Sequence, residues 1–202
     1  LSICIPSYNR LSCLNNCLNS ILISSKNVQN FDFEVCISDN CSAQDPVEIV
    51  NKYRKDLNIV FNRNEKNLGV ALNAIKTLEL SKGKYAWLIG NDDLILPNTL
   101  NDLKRLFETN IDIDYFFVNS YYLNSNFLND YPKPFNTNEL KNTSLESISK
   151  FKENKRVHFW EVIDPKVSWE FLISIFVCIF NRNMWLEGLD CVSQEDIQDT
   201  RV

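Results

Sequence analysis

Apolar residues fall into two alternating patterns along the first part of the chain. Short, nearly continuous runs occur at "LSICI" (1–5), "FEVCIS" (33–38), "NIVFN" (58–62), "KYAWLI" (84–89) and "DYFFV" (114–118). Their β-branched and aromatic content, and their stops at Pro6, Asp39 and Gly90, predict buried strands. Between them the apolar positions recur at helical spacing. Leu11, Leu14, Leu18, Ile21 and Leu22 mark a helix within 10–22, and Val70 to Leu80 another that Gly83 would end. Asp45-Pro46 predicts a helix start, running to Tyr53, with Asp45 as cap and Pro46 first in the helix. "PNTLNDLKRLFE" at 97–108 supplies a fourth helix. Strands alternating with helices imply a mostly parallel sheet covered on both faces, an α/β fold.

Beyond residue 120 the pattern loosens. Pro132 and Pro134 interrupt a loop-like stretch at 124–144, a helix is expected over about 144–154, and the apolar block "FLISIFVCIF" at 171–180 is expected to rejoin the sheet. That block is about half the length a bilayer crossing needs, so it reads as core and no transmembrane segment is expected. Residues 1–120 and 121–202 are therefore taken as two halves of one domain. No signal peptide precedes "LSICIP", and the non-Met start and polar end "QEDIQDTRV" suggest a fragment, with truncation at the C-terminus.

A chain of 202 residues that is 45% hydrophobic can build one sizeable core. Its net charge of −5, with Lys and Arg scattered, offers no basic patch and argues against nucleic-acid binding. Seven cysteines, an odd number without a C-x-x-C pair, read as free thiols in a reducing cytoplasm. His158, the single histidine, stands beside aromatic residues and reads as structural.

Chemistry enters at the strand ends. In an open parallel sheet, ligands bind beyond the carboxyl ends of the strands. The first strand is followed by Pro6, Ser7, Tyr8, Asn9 and Arg10, the second by Asp39 and Asn40, the third by "NRNEKNLG" with Asn67 and Gly69, the fourth by Asn91, Asp92 and Asp93. One rim would collect all of them. Adjacent Asp92 and Asp93 repel unless a cation lies nearby, and a hard divalent ion takes oxygen ligands, with phosphates and water completing its shell. A polyphosphate-bearing ligand fits that set. Asp39 could accept from a base N–H or a sugar hydroxyl, and Tyr8 could stack on a base. The plain alternative is that Asp92 and Asp93 are turn formers and caps ahead of the next helix. Arg10, Arg63, Lys66, Lys82 and Lys84 are candidates for phosphate contacts, or simply solvated surface.

The segments "SICIPSYNR", "FEVCISDNCS", "NEKNLGVALNAI" and "KGKYAWLIGNDDLILPNTL" resemble, in order and spacing, the nucleotide-sugar half of family 2 glycosyltransferases with the GT-A fold. The likeness is close over about 1–120 and loose afterwards. It implies a nucleotide-binding loop at Pro6, Ser7, Tyr8 and Asn9, and base recognition by Asp39. Asn67, Gly69 and Asn73 would line base and ribose, with Asn91 beside the ribose. "GNDD" falls at the family's D-x-D-type motif. Asp92 takes the metal-binding place and Asp93 a second ligand or supporting place, for Mn2+ or Mg2+. Gly90 departs from the pattern, standing where many members carry the first Asp.

The resemblance further implies an inverting transfer from a nucleotide-sugar donor, a UDP-sugar foremost, to a glycan or lipid-linked acceptor in surface polysaccharide synthesis. The general base is expected in "QEDIQDTR", as Asp196 with Glu195 in reserve; a solvated acidic helix start is the equal alternative. Glu170 is a lesser candidate, and Trp169 could stack on an acceptor sugar or belong to the core. The expected place is the cytoplasm, with peripheral contact at the inner membrane face where the acceptor is lipid-linked. Two competing classes are a non-catalytic GT-A-like scaffold, suggested by Gly90 and Asn91, and a nucleotidyltransferase. The latter needs a glycine-rich loop after the first strand, and "PSYNRLS" has none.

Overall fold

The computed structural model describes residues 1–123, 133–140, 145–147, 153–158, 161 and 174–192. Strands and helices alternate as β1 (Ser2–Ser7), α1 (Leu11–Ser25), β2 (Glu34–Asp39), α2 (Val47–Tyr53), β3 (Ile59–Arg63), α3 (Val70–Leu80), β4 (Tyr85–Leu88), α4 (Thr99–Thr109) and β5 (Tyr115–Phe117). Two short strands, β6 (Tyr121–Tyr122) and β7 (Glu146–Ser147), form a separate antiparallel ribbon. The described chain closes with β8 (Cys178–Asn181) and α5 (Arg182–Leu189).

The main sheet has six strands in the order β3-β2-β1-β4-β8-β5. β1 runs parallel to both β2 and β4, and β2 parallel to β3. β8 is inverted, pairing antiparallel with β4 on one side and β5 on the other. The expectation that the 171–180 block rejoins the sheet holds for its last residues, but they enter as an antiparallel strand between two forward ones. Every residue of β2 is buried, as a strand covered on both faces requires.

Odd and even strand positions divide the core. Ile3, Ile5, Val35, Ile37, Tyr85 and Trp87 face α1, α2 and α4, where they meet Leu14, Leu18, Ile21, Val50, Tyr53, Leu100 and Leu103. Cys4, Cys36, Ala86 and Leu88 face α3 and α5, meeting Leu78, Ala74 and Trp185. Helices thus cover both faces, as the strand–helix alternation predicted. Helix α1 is the principal spine of the first face, and three of its buried polar side chains tie it to the rest of the chain. Ser20 Oγ accepts from the Ile95 N–H (3.1 Å), Ser24 Oγ from the Leu100 N–H (3.0 Å) and Asn16 Oδ1 from the Phe135 N–H (2.8 Å).

Three local expectations need correction. Helix α3 ends at Leu80, with Ser81 already extended, so Gly83 is not its terminator. Helix α2 starts at Val47 with Pro46 just outside it; Asp45 still serves the start, its Oδ1 accepting from the Val47 N–H at 2.9 Å. The helix expected over 144–154 fails where it is described, because Glu146 and Ser147 pair with Tyr122 and Tyr121 as a ribbon. The seven cysteines are free thiols, Cys4, Cys17 and Cys36 fully buried, so each of these three packs as a small apolar side chain. Among the described residues no helix is long and apolar enough to cross a membrane.

Candidate functional site

Register gathers the site. Ser7, the last residue of β1, stands opposite Asp39, the last of β2, and Asp39 opposite Arg63, the last of β3. β4 lies on the other side of β1, and the chain leaves it through Ile89 and Gly90 into Asn91. Hydrogen bonds then stitch the ends together. The Asn91 amide donates to Ser7 Oγ (3.0 Å), and the Asn40 N–H to the Ser7 carbonyl (2.8 Å). Asn40 Nδ2 donates to Asn67 Oδ1 (2.8 Å), while Arg10 Nη1 reaches Asp92 Oδ2 at 2.5 Å. The four polar clusters following β1 to β4 therefore share one rim.

The carboxylate turn owes its shape to Gly90. Asp93 Oδ2 folds back to accept from the Gly90 N–H at 2.6 Å, and the Cys17 thiol of α1 donates to the Gly90 carbonyl at 3.9 Å. A Cβ on residue 90 would lie 2.6 Å from Asp92 Oδ1 and 3.0 Å from Asp93 Oδ2, so a larger residue would make the two carboxylate side chains shift from this arrangement. Burial pushes the Asp93 carboxyl up to about 6; the Asp92 charge adds to the rise and the Gly90 N–H opposes it. Asp92 is about half exposed, its side chain 53% accessible. Two hard oxygen donors, one of them costly to ionise without a nearby cation, fit an Mg2+ or Mn2+ ion that takes few protein ligands. Among the described residues no group of three or more His, Cys, Asp and Glu could complete such a shell.

On the other side of β1 the loop after β2 is built around a buried charge. Asp39 is fully buried. Its Oδ1 accepts from Ser42 Oγ, its Oδ2 from the Ser42 N–H (3.0 Å), and Arg63 Nε lies 3.3 Å from Oδ2. Arg63 also pairs with Asp45 (2.5 Å) and donates to the Ser42 carbonyl (2.7 Å). Ser42 Oγ in turn accepts from the Asn9 N–H (2.8 Å), and Asn9 Oδ1 accepts from the Ala43 N–H (2.8 Å). Asn9 and Cys41 are held in the left-handed region, φ 52 and 61, a conformation that non-glycine residues adopt at a cost and that clusters at working sites.

The loop after β3 is ordered by asparagine. Asn73, on α3, donates to the Ser38 carbonyl (3.0 Å) while its oxygen accepts from Ser38 Oγ (2.9 Å) and Asn64 Nδ2 (2.8 Å). Asn40 Oδ1 accepts from the Leu68 N–H (2.8 Å), and Asn67 Oδ1 from the Gly69 N–H (2.8 Å). Gly69, at φ 84, makes the left-handed turn into α3.

Of the residues singled out from the sequence, Ser7, Tyr8, Asn9, Asn67, Gly69, Asn91, Asp92 and Asp93 lie along this rim, Tyr8 being 44% exposed. Pro6 is the penultimate residue of β1. Asn73 is on the rim's inner side, buried, its Nδ2 donating to the Ser38 carbonyl and its Oδ1 accepting from Ser38 Oγ and Asn64 Nδ2, so it helps to position the loop. Asp39 likewise presents its bonded carboxylate inward. Among the basic candidates Arg10 alone touches the carboxylate pair. Arg63 faces Asp39 and Asp45, and Lys66 is exposed on the loop after β3. Lys82 and Lys84 precede β4, at the opposite end of the sheet, where Lys84 Nζ donates to the Ile111 carbonyl (2.9 Å). Those two are removed from any phosphate contact at the rim. His158 is exposed, its backbone N–H donating to Glu161 Oε1. Trp169, Glu170, Glu195 and Asp196 lie outside the described residues. Ser42 and Asn64 went unnoticed in the sequence, although the Asp-x-x-Ser spacing of Asp39 and Ser42 is a local turn signal.

A mostly parallel sheet with an inverted strand beside β4 and a polar rim over its carboxyl ends defines an α/β protein of the GT-A type. The chain belongs to glycosyl transferase family 2, whose family profile matches residues 2–165. It is 36% identical over 115 residues to the abequosyltransferase RfbV of Salmonella typhimurium, covering 56% of this chain and 34% of that protein. It is 30% identical over 102 residues to the poly(ribitol-phosphate) beta-N-acetylglucosaminyltransferase TarS of Staphylococcus aureus, covering 50% of this chain and 18% of that protein. The crystal structure of S. aureus TarS 1–349 in complex with UDP has the same fold, with a TM-score of 0.69 at 22% identity over 98% of this chain and 51% of that one. The chain thus spans about half or less of the length of these relatives.

Two substitutions test the construction of the rim. Folding forces Asp93 into a place where its charge is disfavoured, so stability is lost as pH rises from about 4 through about 6. Asp93→Asn keeps an oxygen for the Gly90 N–H and removes the charge. In EDTA it should exceed the parent by on the order of 2 kcal/mol in urea unfolding at pH 8, the gap closing toward pH 4; a pH-independent gap would contradict the assignment. Ser42→Ala leaves Asp39 short of one donor and the Asn9 N–H without its acceptor. It should cost about 1–3 kcal/mol, read by the same unfolding measurement.

Proposed function

We propose that this chain belongs to an inverting, divalent-cation-dependent glycosyltransferase. It would move a sugar from a nucleotide-diphosphate sugar to a hydroxyl of a glycan or lipid-linked acceptor, in surface polysaccharide synthesis. The observation that carries this reading is the convergence of Ser7, Asn9, Asn67, Asn91, Asp92 and Asp93 on one rim, with the carboxylate pair gathered against Gly90. Family membership supplies the reaction class, and RfbV, an abequosyltransferase, and TarS, a poly(ribitol-phosphate) beta-N-acetylglucosaminyltransferase, are in keeping with sugar transfer. A UDP-sugar is the preferred donor, in keeping with the UDP complex of TarS.

Each residue then has a task. Asp92 and Asp93 would hold Mn2+ or Mg2+, which when bound offsets the negative charge growing on the departing diphosphate. Tyr8 offers an exposed ring for the base, and the loops at 6–9 and 67–69 would flank base and ribose, with Asn91 beside the ribose. Asp39 acts at one remove: held by Ser42 and Arg63, it keeps the loop after β2 in place, and it would read the base only if Ser42 released it. Asp196, with Glu195 in reserve, would take the proton from the acceptor hydroxyl as that oxygen attacks the anomeric carbon. Residues 1–120 would serve the donor and 121–202 the acceptor. The enzyme would work in the cytoplasm, at the inner membrane face when the acceptor is lipid-linked.

Purified protein incubated with Mn2+ and UDP-, GDP- or CMP-sugars in turn should hydrolyse or transfer from one of them. Asp92→Ala should lower that turnover on the order of 100-fold or more and weaken donor binding, as loss of a cation-holding carboxylate implies. Asp196→Asn should abolish transfer while sparing donor binding; equal loss of binding would remove Asp196 from the role of base. No turnover in any donor, together with nucleotide binding untouched by Asp92→Ala, would replace the enzymatic reading with that of a non-catalytic scaffold.

A further inference from the structure

Arg10 holds a position that the donor-binding reading leaves unexplained. It is the residue before α1, with φ −133 and ψ 56, and its side chain makes no cap for the helix. Its guanidinium reaches 82 residues along the chain to Asp92 Oδ2, while the other Asp92 oxygen, Oδ1, closes on Gly90. Both partners stay more than half exposed, 58% and 53%. An ion pair so open to water adds about 0–1 kcal/mol to stability, so the contact is no structural staple. It does place the nearest positive charge of the rim on the more accessible of the two carboxylates. The first turn of α1 carries no acidic residue, so an anion arriving beside Arg10 meets no opposing carboxylate from that turn.

We propose that Arg10 is a positioning residue that exchanges partners. Without ligand it neutralises Asp92; when the donor enters, it yields Asp92 to the divalent cation and turns its planar fork to the diphosphate. The exchange leaves each centre with a partner of opposite sign. Asp92 trades a guanidinium for a metal ion, and Arg10 trades a carboxylate for phosphate oxygens that a guanidinium grips in two-pronged fashion. Because the pair is exposed and weak, a short swing of one flexible side chain is all the step requires. The inference rests on the donor-binding reading above and adds one demand: Arg10 must oppose the cation alone yet favour cation and nucleotide together.

Opposite signs make the test specific. Binding of Mn2+ alone, and of UDP and of GDP in saturating Mn2+, is measured by calorimetry for the parent, Arg10→Ala, Arg10→Lys and Asp92→Ala. Arg10→Ala should tighten Mn2+ binding about two- to fivefold, since the competing charge is gone. It should weaken the nucleotide that the parent binds on the order of tenfold or more. Arg10→Lys should keep the competition for Asp92 but recover only part of the nucleotide affinity. Losing both affinities together, or neither, in a folded Arg10→Ala would overturn the exchange. A parent that binds Mn2+ and nucleotide, with both lost in Asp92→Ala, confirms the donor site independently of that outcome. A parent that binds neither would sink the donor-binding reading, and the exchange with it.

Discussion

Parallel pairing of β1 between β2 and β4 is the constraint from which the rest follows. Because Ser7 is opposite Asp39, and Asp39 opposite Arg63, three strands end level, and the chain leaves β4 beside them. Backbone hydrogen bonds set that level, and side-chain burial locks it. A slip of one residue would turn Ile3, Ile5, Val35 and Ile37 from the α1 face to the α3 face and break both cores. The site therefore needs no binding energy of its own to assemble. Its residues arrive together because the apolar faces of their strands admit only one alignment.

Charge on the rim is managed in two ways. Around Asp39 everything is enclosed: a buried carboxylate is answered by Arg63 and by both donors of Ser42, so the loop after β2 is fixed at the expense of a carboxylate's freedom to meet solvent. Leaving such a charge unpaired would be far more damaging than the pairing is beneficial. Around Asp92 and Asp93 little is enclosed. One carboxylate holds an exposed arginine, and the other is half-buried with its charge disfavoured by that burial. The first cluster is set to stay as it is and the second to change partners, and only β1 lies between them.

How much of this was legible in the sequence follows from what each element is made of. β1, β2 and β4 were readable because a strand buried on both faces must be apolar throughout, and α4 because its apolar positions recur at helical spacing. Helix α1 was readable from Leu14, Leu18 and Ile21, but the work of Asn16, Ser20 and Ser24 was not. Their partners lie at Phe135, Ile95 and Leu100, and no local pattern announces so distant a bond. The direction of β8 was equally hidden, since an apolar run carries no arrow. At the site, residue types and strand ends pointed to the rim. Which of those residues face outward was a matter of packing: Asp39 and Asn73 look like ligand residues in sequence, and the structure buries both and bonds them to Ser42 and Arg63, and to Ser38 and Asn64.

The inverted strand has a consequence for how the molecule comes into being. Tyr115 of β5 and Cys178 of β8 touch although 63 residues separate them, and among the described residues β5 pairs within the sheet with β8 alone. A chain emerging from the ribosome can zip β3, β2, β1 and β4 from pairings formed early. The outer edge of β4 must wait with unsatisfied amides and carbonyls until the stretch around Ile179 has been made. The edge of β4 thus stays open while that intervening segment is translated, and the insertion of a late, backward-running strand is what closes it.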